Sequence, residues 1–175
     1  MSESVKSEEN RDLELSKQTF DKILKICLIA GIIFVSGFII YYILNPEPGY
    51  VTFGLLNSEQ KAENYPTNAS VNEEIEFYVL VENHLGGDFT FRLKIKKGDN
   101  QTIMSPDSET RNAELNHTTD PIFLVNEQRW ISNFTVSFLT IGANQTIIVE
   151  LWQITNSIDE KFYDVLWLRL NITTA

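Results

Sequence analysis

The sequence predicts an all-β fold, an immunoglobulin-like β-sandwich of about seven strands, following one N-terminal transmembrane helix. Three observations predict it. Residues 26–44 form an uncharged apolar block of 19 residues. Beyond that block, apolar side chains recur at every second position in several short runs. No helical period intervenes between those runs.

Composition narrows the class further. Hydrophobic residues make up 43% of the 175, an ordinary share, but their concentration in one block excludes a wholly soluble chain. A formal charge of −10 and an isoelectric point near 4.6 repel phosphate, which excludes a nucleic-acid binder. The only cysteine, Cys27, lies inside the apolar block, so no disulfide staples the domain.

The elements follow in chain order. Residues 1–22 read as a cytoplasmic tail, polar and disordered at its start. Leu13, Phe20 and Leu24 then recur at helical spacing, which extends the membrane helix through residues 11–25,. Residues 23–44 are the transmembrane helix: its 19 apolar residues span about 28 Å at about 1.5 Å each, against a hydrocarbon core of about 30 Å. Lys17, Lys22 and Lys25 flank its first end, whereas no base follows Leu44 until Lys61. Basic residues stay on the cytoplasmic side, so the tail is inside and the rest is extracellular at the cell membrane. A cleaved signal peptide is the rival reading. It is disfavoured by the length of the run, by its ending in Tyr41-Tyr42-Ile43-Leu44 and by the lack of a small-x-small cleavage pattern,. Cys27 and Gly31 stand one helical turn apart, a spacing that permits close helix approach and that chance also explains.

Residues 45–49 form a turn-prone spacer, and residues 50–175 the extracytoplasmic domain. Nine bases and 18 acids follow Leu44, so the acidity belongs almost wholly to this part. Residues 74–82 put Ile75, Phe77, Val79 and Val81 on one face. Residues 89–95 repeat the pattern with Phe89, Phe91, Leu93 and Ile95 inward and Arg92, Lys94 and Lys96 outward. Residues 134–138, 147–151 and 166–172 alternate likewise, and residues 50–56 and 122–125 complete the set. Trp152 and Trp167 fall out of phase with the apolar faces of their runs, which points them to the outer sheet face. Residues 98–121 are polar and read as a long functional or mobile loop, or as a loop holding a short edge strand at Ile103 and Met104.

Asn-x-Ser/Thr occurs at Asn68, Asn100, Asn116, Asn133, Asn144 and Asn171, all beyond the apolar block. Six exceeds the roughly two that composition predicts for this part, so the motifs make these asparagines candidate N-glycosylation sites. Asn68, Asn100 and Asn116 fall in expected loops, Asn133 and Asn144 at strand starts and Asn171 near the terminus. The compartment they imply agrees with the charge rule.

Catalytic chemistry finds no support. The exposed part has no cysteine, two histidines (His84 and His117) in separate expected loops, and neither Gly-x-Ser-x-Gly nor His-Glu-x-x-His,. Asp99, Asp107, Glu109 and Asp120 lack calcium-loop spacing and read as solvated loop acids. No catalytic residue, cofactor or metal site is therefore expected.

Several segments are similar to the extracytoplasmic part of the archaeal domain-of-unknown-function 1616 family. They are Lys61-Ala62-Glu63-Asn64-Tyr65-Pro66-Thr67, Val81-Glu82-Asn83-His84, Asn126-Glu127 with Trp130, Asn144-Gln145 with Leu151, and Leu166-Trp167-Leu168. The resemblance covers residues 50–172. It implies a membrane-attached archaeal envelope protein with a β-sandwich and no established activity; typical relatives carry several membrane helices where this chain has one. Read physically, Pro66 pushes Tyr65 toward an extended conformation against the sandwich edge, Lys61 pairs with Glu63 or faces a partner, and Asn83 bonds the backbone of a loop over His84-Leu85-Gly86-Gly87-Asp88.

These readings converge on a noncatalytic, membrane-anchored binding or structural module of the envelope. Its expected partners are the lipid bilayer, another envelope or membrane protein, and a glycan. The alternative is an accessory subunit of a membrane-bound complex for glycan assembly or transport, docking through its helix.

Overall fold

The computed structural model describes residues 2–45, 48–155 and 159–174. Two compact units divide the chain, Met1–Glu47 and Pro48–Ala175. Pro46 and Glu47 of the expected spacer lie outside the described residues.

The first unit is one helix, α1 (Ser2–Leu44). The tail was expected to begin disordered, and instead the helix starts at its second residue. No proline or glycine occurs before Gly31, and Glu, Lys, Leu, Arg and Gln are good helix formers, so nothing in the tail interrupts propagation,. Within α1, residues 19–44 are long and apolar enough to cross a membrane, and none of that stretch is buried within the fold. Phe34 and Leu44 are 71% and 72% exposed. An apolar surface on all sides of a helix is stable only where something apolar surrounds it.

The second unit is the predicted β-sandwich, but the described residues form eleven strands where about seven were expected; the four added are the short β2, β5, β6 and β7, too brief or too exposed to show alternation. Its strands are β1 (Tyr50–Leu56), β2 (Asn68–Ser70), β3 (Ile75–His84), β4 (Phe89–Gly98), β5 (Ile103–Ser105) and β6 (Ser108–Arg111). They continue with β7 (Glu114–Thr118), β8 (Ile122–Leu124), β9 (Arg129–Val136), β10 (Gly142–Thr155) and β11 (Asp159–Thr173). The small sheet runs β1-β3-β9. The large sheet runs β2-β11-β10-β4-β7 with β8 also paired to β4, and β5-β6 form a separate hairpin.

The core lies between the two sheets. Phe77, Val79 and Val81 of β3 face Phe91, Leu93 and Ile95 of β4, Ile147, Val149 and Leu151 of β10, and Leu170 and Ile172 of β11, all nearly inaccessible. Period-two alternation built this core, because each pleated strand sends every second side chain to one face. Trp130 wedges in from β9, its ring 5.5 Å from Phe91 and edge-on.

The long polar segment is not a loop. Residues 98–121 contain all of β5, β6 and β7, and β7 pairs with β4 along the edge of the large sheet. Every residue of β7 is exposed, so backbone pairing rather than burial holds it, and no alternation marks it. The expected edge strand at Ile103 and Met104 is present as β5.

Candidate functional site

The outward face of the large sheet gathers the charged and aromatic residues of the domain. Register places Lys96, Ile148 and Trp167 in one row, Lys94, Glu150 and Val165 in the next, and Arg92, Trp152 and Phe162 in the third. Ile148 and Glu150 nonetheless have no exposed surface. The β5-β6 hairpin reaches over this face: the Thr110 amide of β6 donates to Glu150 Oε1 at 2.7 Å, and Thr110 itself is buried.

Glu150 is the centre of the arrangement. It also accepts hydrogen bonds from Lys96 Nζ at 2.9 Å and from Trp152 Nε1 at 2.9 Å. Burial pushes its carboxyl up, but the hydrogen bonds from Lys96, the Thr110 amide and Trp152, with the Lys96 charge, outweigh that and hold it below the ordinary glutamate value,. A second carboxylate, Glu160, takes Lys94 Nζ at 2.7 Å and the Arg92 guanidinium. The Lys94 hydrogen bond, opposed by desolvation and helped by the charges of Lys94 and Arg92, lowers its pKa as well. Lys94 Nζ sits 3.8 Å from the centroid of the Trp152 ring, and Phe162 meets that ring edge-on at 5.8 Å,.

Both tryptophans expected on the outer face are there, with different fates. Trp152 is covered by Lys94 and Phe162 and hydrogen-bonded to Glu150, so it is part of the packing. Trp167 remains 44% exposed and is the one open aromatic surface of the three rows.

The resemblance residues separate into two groups. In the first, Lys61 pairs with Glu59 at 2.8 Å instead of with Glu63; both partners are exposed, and such a pair contributes little. Asn57, which no sequence pattern singled out, pins the turn. Its Oδ1 accepts the Glu59 and Lys61 amides, and its Nδ2 donates to the Glu63 carbonyl. Asn64 takes a left-handed φ of 52°, which turns the chain so that Tyr65 packs on the core and donates its hydroxyl to the Leu55 carbonyl at 2.6 Å; Pro66 is half-buried beside it. Tyr65→Phe is expected to lower stability by about 1 kcal/mol, the usual net value of one hydrogen bond. Denaturant titration checks it, and an unchanged midpoint would show that the hydroxyl contributes nothing.

In the second group the fold brings two distant segments together. Asn83, with no exposed surface, donates to the carbonyls of Gly87 and Leu124 and accepts the Leu85 amide. His84 Nδ1 lies 2.9 Å from Glu127 Oε2, and its ring lies 4.8 Å from that of Tyr50. The chain enters the domain at this end. A Cβ on Gly49 would stand 2.4 Å from the Leu85 Cα, so only glycine passes here.

All six sequon asparagines are exposed. Asn100 lies in a turn. Asn68 and Asn116, expected in loops, lie instead on the short strands β2 and β7; Asn133 sits within β9 and Asn144 is the third residue of β10. Asn171 Nδ2 is 3.4 Å from Asn68 Oδ1, and Asn171 Oδ1 accepts the Asn144 amide at 3.1 Å. A cleft of about 550 Å³ opens between Gly98, Asn112, Glu114, Leu139 and Gln145, with Leu139 and Ile141 standing exposed beside it. Among the described residues, no group of three or more His, Cys, Asp or Glu is placed to hold a metal ion.

No family model matches the chain, and no curated protein matches it significantly. Among solved structures, the CARDB domain of a Pyrococcus furiosus protein, in complex with di-metal ions, is 12% identical. The match covers 73% of this chain and 90% of that one, with a TM-score of 0.45. A solution structure of the same CARDB domain is 12% identical over 74% of this chain and 99% of that one, with a TM-score of 0.47. The C-terminal domain of wzt is 10% identical over 75% and 81% of the two chains, with a TM-score of 0.45. These are likenesses of fold alone. The chain is an immunoglobulin-like β-sandwich domain behind an N-terminal apolar helix.

Proposed function

We propose that the chain is a single-pass membrane protein with a cytoplasmic N-terminus and an extracellular, N-glycosylated β-sandwich, serving as a noncatalytic binding or structural module of an archaeal cell envelope. The observation that carries this reading is the distribution of the sequons. All six asparagines are exposed, and all follow the apolar helix. The lysines of α1 that precede the apolar block 26–44 favour the same direction of insertion,, and the resemblance to the domain-of-unknown-function 1616 family supports the archaeal envelope as the setting. The saturated Glu150 and Glu160 clusters favour a structural use of the charged face over catalysis, since each carboxylate is already fully engaged.

Intact mass of the natively expressed protein tests this reading. The expected result is a mass above the 20.1 kDa of the bare chain, with glycopeptides mapping to the sequons and protease digestion of the domain from the outside of intact cells. A mass equal to the bare chain would refute modification, and a protected domain would refute the orientation.

The accessory-subunit reading keeps one supporting observation. The apolar side chains of α1 are uncovered, and nothing lies within 4 Å of a Cβ built on Gly31 or Gly37, which suits a second helix packing there. Crosslinking in native membranes separates the readings. One stoichiometric multi-helix partner captured through residues 26–44 supports the subunit, and crosslinks confined to the domain sink it.

A further inference from the structure

A two-sheet sandwich that does not close into a barrel has four sheet edges, each a row of backbone groups ready to pair with another chain. Here the edges are β1 and β9 of the small sheet, and on the large one β7 with β8 on one side and β11 on the other, where β2 pairs only with residues 171–173. Three of these four edges carry a sequon on an outermost strand: Asn68 on β2, Asn116 on β7 and Asn133 on β9. All three asparagines are exposed. The β7 and β9 edges lie along the same side of the sandwich, because the rings of His117 and Phe134 are 5.8 Å apart. Their acceptors, Asn116 and Asn133, are the residues immediately preceding those rings and so flank one seam. The fourth edge has another cover. Tyr65 donates its hydroxyl to the Leu55 carbonyl of β1, and the turn that carries it is pinned by Asn57.

Other devices blunt the β2-β11 edge, since β2 has only three residues and residues 159–170 of β11 carry five charges,, whereas they are sparse on β7 and β9. β9 is Arg-Trp-Ile-Ser-Asn-Phe-Thr-Val, whose only charge is at its first residue. β7 has one charge, Glu114, also at its first residue. Strands of this composition pair readily when two copies meet. The domain's net negative charge repels a second copy only over distances near the Debye length, about 8 Å at physiological salt.

We propose that the N-glycans on Asn116 and Asn133 are edge guards: their bulk keeps the free edges β7 and β9 from pairing with a second copy of this chain, on a surface where copies are held side by side by their anchors. The proposal rests on the glycosylation reading above and adds a purpose for particular sites within it. It also separates Asn116 and Asn133 from the other four sequons, since Asn100 lies in a turn, Asn144 on the interior strand β10, and Asn68 and Asn171 opposite each other where β2 meets β11.

The test compares two double variants of the full chain, made in the glycosylating host and purified in detergent. Asn116→Gln with Asn133→Gln opens the β7-β9 side, and Asn100→Gln with Asn144→Gln removes the same number of glycans elsewhere. The readout is sedimentation over a concentration series. The first variant is expected to self-associate at a concentration at least about tenfold lower than the wild type, with unchanged melting at low concentration. The second is expected to match the wild type. Thr118→Ala with Thr135→Ala destroys the same two edge sequons while leaving both asparagines in place, and is expected to repeat the first result if glutamine disturbs folding. Equal association by both double variants, or by neither, overturns the edge-guard role. Intact mass on the wild type reads the underlying premise separately: a bare mass overturns glycosylation itself, whereas glycans present without a difference between the variants overturn only the guard.

Discussion

Glu150→Ala is expected to destabilise the sandwich by about 3–5 kcal/mol, the range for removing one member of a buried ion pair. The loss is large because three donors converge on this carboxylate: Lys96 Nζ, the Thr110 amide and Trp152 Nε1. Lys96 is only 11% exposed at its side chain, so without Glu150 it is left as a buried, uncompensated charge with only the Thr110 carbonyl at 3.3 Å. The deletion also frees the β5-β6 hairpin from the sheet it covers, exposing Ile148. Urea denaturation in detergent measures the first effect, and amide exchange in residues 103–111 the second. A change under 1 kcal/mol would show that the pair is stabilised no better than a surface contact. Replacing both partners, as Glu150→Leu with Lys96→Met, is expected to recover most of the stability, since neither charge then needs a partner.

The same pair makes acid sensitivity local. Glu150 and Glu160 both have pKa values below the ordinary glutamate value of 4.5 in the folded chain. Their contribution is therefore fully present above 4.5 and is lost as the pH falls below it, through the depressed folded values. Melting temperature measured between pH 7 and pH 3 is expected to fall more steeply for the wild type than for the Glu150→Leu, Lys96→Met protein. Parallel curves would show that other carboxylates govern acid unfolding.

What the sequence disclosed and what it hid divide along one physical line. β3, β4, β10 and β11 were legible because each buries one pleated face, and burial writes a period of two into the residues. β7 exposes all five of its residues and β2 has only three, of which Ala69 alone is buried; neither is long or buried enough to leave an alternating trace. Glu150 was hidden for a different reason. Its position within residues 147–151 correctly reads as outward, and outward ordinarily means solvated. The burial comes from Thr110, forty positions earlier in the chain, on a hairpin whose docking no local pattern encodes. Trp152 and Trp167 show the same limit: phase gave their face, but only the neighbours Lys94 and Phe162 decided that Trp152 is covered while Trp167 is open. Tyr65 and Asn83 were readable because turn chemistry is local. Asn57 was not, since one buried asparagine has no period to betray it.

Asn83→Ala is expected to cost about 2–4 kcal/mol, from two or three buried backbone groups each losing its partner. The amide of Asn83 satisfies the carbonyls of Gly87 and Leu124, and its Oδ1 satisfies the Leu85 amide. Its own backbone also exchanges hydrogen bonds with Gln128 and Glu127. One side chain thus ties the end of β3 and the turn after it to the end of β8, across forty-one residues. The first carries His84 and the second leads to Glu127, and their 2.9 Å contact exists only while Asn83 holds the backbones in place. Asn83→Asp separates the contributions, because the carboxylate still accepts the Leu85 amide but cannot donate to either carbonyl. It is expected to be at least as destabilising as alanine, since a buried charge without a cation is added. His84→Ala, by contrast, removes a partly exposed contact and is expected to change stability by less than about 1 kcal/mol. Denaturation of the three variants orders them. If His84→Ala proved as costly as Asn83→Ala, the His84–Glu127 contact and not the asparagine would be what fastens this end of the sandwich.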